Sequence, residues 1–154
     1  MNNRKVNIAL GLIVAVLSIV SIFVLFATAF GSSDYSGHPS TLGSCFNIMF
    51  GNQGFDPVPG LIVAFVLQCV AAVFALVGAI LPGRLGGINL GVAAICAAVA
   101  GVLWLMAPNM FSSVNPITET AESVAHGTGT ILTAVLCLLS GLLGLYGGYR
   151  SFKA

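Results

Sequence analysis

Four long apolar runs divide this chain, and no Asp, Glu, Lys, Arg or His falls inside any of them. They cover about 6–30, 61–81, 85–107 and 129–149. Each holds roughly 20 residues or more, which at ~1.5 Å per residue crosses ~30 Å of hydrocarbon. A charge placed in hydrocarbon is costly, so uninterrupted runs of this length read as membrane spans. Helix is the expected form, because each span must satisfy its own backbone N–H and C=O groups. A β-barrel needs alternation over ~10-residue segments, and these runs do not alternate.

The charges outside the runs are sorted by sign. The bases are Arg4, Lys5, Arg84, Arg150 and Lys153, and the acids are Asp34, Asp56, Glu119 and Glu122. Excess Lys and Arg mark cytoplasmic loops. The expected topology therefore has both termini and the Pro82-Gly83-Arg84 turn in the cytoplasm, with the loops at 31–60 and 108–128 outside. The expected fold is an all-α membrane protein, a single four-helix transmembrane bundle over residues 1–154, located in the cell membrane. Composition agrees: 58% of residues are hydrophobic and 6% charged, against roughly 25% charged in soluble domains. A net charge of +1 with no basic run gives nucleic acid no electrostatic footprint to bind. Arg4 and Lys5 followed by an apolar run, with Ala27-Thr28-Ala29 at its end, have the outline of a signal peptide. The run is far longer than the 7–15 residues of a signal core, so an uncleaved span is expected.

Small residues repeat along the later spans. Gly87 and Gly91 are four residues apart in the third span, as are Ala93, Ala97 and Gly101; the fourth has Ser140, Gly144 and Gly148, with Gly141 and Gly147 beside them. Four-residue spacing puts each set on one helix face. Such faces let helices approach closely in lipid. Packing within this bundle is the simpler expectation; contact between neighbouring copies is the sharper one. Gln68 is the strongest polar group in any span, and it is expected to face the bundle as interhelical glue, with a pore or ligand contact as the alternative. Ser18, Ser21 and Thr133 are expected to bond to their own helix carbonyls.

The first outer loop contains Cys45-Phe46-Asn47-Ile48-Met49-Phe50, an apolar stretch between Gly43 and Gly51. It reads as a short strand or an interfacial segment. Cys45, Phe46, Ile48, Met49 and Phe50 are expected either to pack on the bundle's outer end or to meet another chain or lipid headgroups. Cys45 has no second loop cysteine to pair with; a buried thiol is expected, with an intermolecular disulfide as the alternative. In the second outer loop, Asn115 and Pro116 suit a helix start, which predicts a short helix over 117–125 ending at His126-Gly127. Glu119, Glu122 and His126 then share a face and, with Asp34, His38 and Asp56, make a candidate site for calcium or zinc. No strict ligand spacing supports it, and ordinary solvated loop residues explain these groups more simply.

The layout resembles that of claudin-type tetraspan proteins, with both termini inside, a longer first outer loop and a short inner loop. The Gly-Leu-Trp unit and paired cysteines of that family's first loop have no counterpart, because Cys45 stands alone there and the sole Trp104 lies in the third span. The resemblance is one of architecture, and no functional residue is carried over.

No nucleophile elbow, zinc-protease, phosphate-loop or dinucleotide motif is present, and no cofactor is expected. The spans lack the ionisable groups of proton relays, voltage sensors and ion-coupled transporters. The expected role is a non-enzymatic scaffold or assembly protein. Its expected partners are the lipid bilayer and copies of itself or another membrane protein. An accessory subunit of a larger complex and an oligomeric passive channel are the alternatives.

Overall fold

The computed structural model describes residues 3–26, 30–33, 39–41, 44–51, 56–110, 113–114, 121–122 and 125–153. The architecture is helical: α1 (Asn3–Val24), a short α2 (Cys45–Met49), α3 (Pro59–Ile80), α4 (Gly83–Leu105) and α5 (Thr128–Lys153). Four of these, all but α2, are long and apolar enough to cross a membrane. Short strand pairings occupy the connections. β1 (Phe30–Ser33) pairs antiparallel with β2 (Pro39–Thr41) and with β5 (Ala125–His126), while β3 (Ser113–Val114) pairs with β4 (Ala121–Glu122).

Local chemistry sets the helix ends. Pro59 opens α3, where a missing N–H costs nothing. Between α3 and α4 the chain reverses over Leu81 and Pro82, with Gly83 at φ 63°. Glycine takes that left-handed conformation without a Cβ clash. α5 ends with Arg150 and Lys153 in its last turn, where cations suit the helix dipole. The Lys153 ammonium lies 4.7 Å from the centre of the Tyr149 ring.

The long helices pack in a square. α1 touches α3 and α5, and α4 touches α3 and α5, while α1 and α4 meet only slightly across the diagonal. Successive helices run antiparallel. The starts of α1 and α4 and the ends of α3 and α5 therefore lie together, at the end that carries Lys5, Arg84, Arg150 and Lys153. The opposite end is closed by a core of Leu25, Cys45, Ile48, Met49, Val58, Leu61 and Trp104, all buried. A second core of Val14, Ala15, Ala75 and Ala93 lies between the helices.

Three sequence expectations are corrected. The first span is shorter at its far end, because α1 stops at Val24. Leu25 and Phe26 tighten the last turn by bonding to carbonyls three residues back, and the Leu25 carbonyl accepts from the Phe46 N–H at 3.3 Å. Of the two readings of the Cys45–Phe50 stretch, the short strand is overturned: Cys45–Met49 is helical, capped by Ser44, whose hydroxyl accepts from the Asn47 N–H at 3.4 Å. The helix expected over 117–125 does not form in its described part, since Ala121–Glu122 and Ala125–His126 are strands. A nine-residue helix is marginal by itself, whereas β1 and β3 offer backbone partners at once.

Candidate functional site

Inside the bundle, the polar side chains of the spans find one another. Gln68 on α3 is 1% exposed, and both ends of its amide are engaged. Its Oε1 accepts from the Trp104 indole N–H of α4 at 2.9 Å, and its Nε2 donates to the Ser21 hydroxyl of α1 at 2.8 Å. Ser21 in turn donates to the Ser18 carbonyl at 2.7 Å. From α5, the Cys137 thiol donates to the Ser21 hydroxyl at 3.6 Å, and the Thr133 hydroxyl donates to the Ser21 carbonyl at 3.5 Å. One turn along, the Ser18 and Ser140 hydroxyls bond at 2.9 Å, and Ser140 also reaches the Val14 carbonyl at 3.3 Å. One connected network thus ties all four long helices together. Unpaired, such groups would be costly in a low-dielectric interior; satisfied, they fix which helix meets which.

The sequence identified Gln68 but not its partners. Ser18 and Thr133 bond across helices, where bonds within their own helices were expected; Ser21 alone follows the local pattern. Trp104 was legible as a candidate partner on one ground. A buried indole N–H needs an acceptor, and Gln68 is the strongest polar group in the other spans.

The small-residue faces are occupied within the bundle. A methyl group added at Gly87 would lie 2.7 Å from Ser151 Cβ, and one at Gly148 would lie 3.1 Å from the Gly87 carbonyl. At Gly144 the neighbour is Ala94 Cβ at 3.0 Å, and at Gly101 it is the Leu138 side chain at 2.9 Å. These positions, with buried Ala97 and Ser140, form the close seams of α4 and α5 with their neighbours. Gly91 differs, as no atom lies within 4 Å of an added methyl there. Gly11 was not anticipated. It brings α1 onto α3 so closely that a methyl would lie 2.7 Å from Ala79 Cβ.

The apolar loop segment divides by face. Cys45, Ile48 and Met49 are fully buried in the end core. Burial pushes the Cys45 thiol up to about 12 from its ordinary 9.0, against a smaller lowering by a backbone hydrogen bond. It forms no disulfide within the chain. Phe46 and Phe50 lie on the adjoining face, Phe46 half-buried and Phe50 exposed.

At the basic end, a cavity of about 210 Å³ is lined by Asn7, Gly78, Pro82, Gly86 and Ser151, among others. Asn7 Nδ2 donates to the Ser151 hydroxyl at 2.9 Å, and Ser151 donates to the Gly147 carbonyl at 2.9 Å. Asn7 Oδ1 is buried with no partner among the described residues.

Of the candidate metal ligands, Glu119, Asp34 and His38 lie outside the described residues. His126 is exposed, and its backbone pairs with Phe30. Among the described residues, no three His, Cys, Asp or Glu side chains gather closely enough to hold an ion. No protein-family model matches the chain, and no curated protein matches it.

Proposed function

We propose that this chain is a non-enzymatic structural component of the cell membrane, a rigid four-helix unit that associates laterally with copies of itself or with another membrane protein. In this reading both termini and the α3–α4 turn face the cytoplasm, which the excess of bases in those segments supports. One observation carries the reading. The polar network of the spans closes on itself through Gln68, Trp104, Ser21 and Ser140. No acid, base or nucleophile in it is left to do chemistry or to pass an ion between sites.

Close packing takes up Gly87 and Gly101 of α4 and Gly141, Gly144 and Gly148 of α5 within one copy. Lateral contact therefore falls to the apolar surface outside, where Ile95, Val102, Leu142 and Leu145 are exposed. Lipid covers such a surface as well as a second protein does, and association then rests on shape and van der Waals contact. Native mass spectrometry from nanodiscs at rising protein-to-lipid ratio tests the proposal. Dimers or higher species of this chain are expected, or a stoichiometric unlike partner when native membranes are the source. A lone monomer in both preparations would rule the proposal out.

A further inference from the structure

We infer that α2 is an interfacial anchor whose Phe46 and Phe50 rings insert at the headgroup–acyl boundary of one bilayer leaflet, holding the first long connection against the membrane. The inference rests on the long helices spanning a bilayer, not on lateral association.

Three observations combine. First, α2 is amphipathic in burial. Cys45, Ile48 and Met49, at i, i+3 and i+4, are fully buried, while Phe46, half-buried at the edge of that core, and Phe50, exposed just past the helix end, lie four apart on the adjoining face. Second, those two rings join one ring just past the end of α1 and one on α3. Phe46 stacks on Phe26 at 5.0 Å and an interplanar angle of 26°, and meets Phe50 at 4.9 Å. Phe65 of α3 stands edge-on to both, at 6.2 and 6.3 Å. Third, the cluster's depth follows from the helix it touches. Phe65 is six residues past Pro59, about 9 Å down the α3 axis at the α-helical rise. A helix of 22 residues is ~33 Å long, little more than the ~30 Å hydrocarbon layer. With ~1.5 Å of overhang at each end, the Phe65 backbone lies ~7.5 Å inside the hydrocarbon boundary, so rings packed against it lie in the outer part of the acyl layer, not in the water beyond it.

The occupant is lipid because the patch is continuous with lipid-facing surface. Phe26 (58% exposed), just past the end of α1, and Phe23 (69%) on α1 extend it, as do Val63 and Val66 (51% each) along α3. The sequence of α2, Cys-Phe-Asn-Ile-Met, carries no charge. Phe side chains on one face of an interfacial helix sink about 5–10 Å into the headgroup–acyl boundary; here the adjoining face, Cys45, Ile48 and Met49, is held by the protein core and not by water.

The test uses the full chain in phosphatidylcholine vesicles whose acyl chains carry bromine either near the headgroup or near the bilayer centre. Phe50→Trp adds an indole at the site, and Phe26→Trp places one on the neighbouring ring position. The parent chain, whose Trp104 is fully buried, gives the background emission, and circular dichroism checks the fold. For both variants the added emission is expected to be quenched by bromine, more by the shallow label than the deep one, and little by aqueous iodide. Strong iodide quenching without bromine quenching would put the rings in water and overturn the anchor. Stronger quenching by the deep label, or none by either quencher because a second chain covers the rings, would overturn it too.

Discussion

At the scale of single residues, Ser21 is the point where the bundle is joined. Its hydroxyl accepts from Gln68 and Cys137 and donates to the Ser18 carbonyl, while its own carbonyl accepts from Thr133. Interhelical side-chain bonds in membranes average only ~0.6 kcal/mol, because an unfolded chain in lipid also finds partners. The larger effect comes from stranding a partner. Gln68→Leu removes the acceptor of the Trp104 indole while leaving the indole buried, and an unsatisfied buried donor costs about 1–3 kcal/mol. A loss of that size is expected in detergent unfolding followed by circular dichroism, and the folded-state emission of the single tryptophan is expected to move to shorter wavelength. The double variant Gln68→Leu/Trp104→Phe strands no indole and is expected to lose less than the two single changes summed. Parent-like stability of Gln68→Leu would show that the network contributes nothing.

At the scale of elements, backbone proximity decides which substitutions the helices tolerate. Gly11→Ala sets a methyl 2.7 Å from Ala79 Cβ and 2.9 Å from its Cα, and a backbone atom cannot turn aside. α1 and α3 must separate, at the cost of about 1–3 kcal/mol typical of overpacking. Gly91→Ala enters open space and removes a mid-helix glycine, so no loss, and a gain of up to about 1 kcal/mol, is expected in the same unfolding assay. Equal losses for the two would mean that contact distance is not what ranks these glycines. Much of this element layout is legible in the sequence. Hydrocarbon thickness and charge exclusion mark the spans, and α3, α4 and the start of α5 fall within two residues of where those rules put them. What the sequence leaves open is set by tertiary partners. The end of α1 depends on the Phe46 N–H, the strands at Ala121–Glu122 and Ala125–His126 depend on β3 and β1, and the role of Gly11 depends on Ala79 lying opposite. The seams of α4 and α5 were visible as spacing, but which helix each would meet was not.

At the scale of the whole molecule, one end of the square bundle is basic and tyrosine-bearing and the other aromatic and apolar. Tyr146 and Tyr149 are exposed near the end of α5, beside Arg150 and Lys153. Tyr rings and cationic side chains suit an interface with water, and Lys and Arg favour its cytoplasmic side. The acids have little say in orientation, so the five bases alone should set it. Reporter fusions after Ala154 test this. A green fluorescent protein fused there is expected to fluoresce and an alkaline phosphatase to be inactive, because the one matures in the cytoplasm and the other only outside. The converse pattern would invert the assignment. A second step separates the charge rule from any other cause. Replacing Arg4 and Lys5 with Gln, while adding four Lys to the 108–128 loop, moves the basic excess to the opposite end without touching a span. Orientation counts Lys and Arg in short loops near the span ends, so this variant is expected to give phosphatase activity in part or all of the population. If it keeps the parent pattern, insertion is being dictated by the helices themselves and not by the charges that flank them.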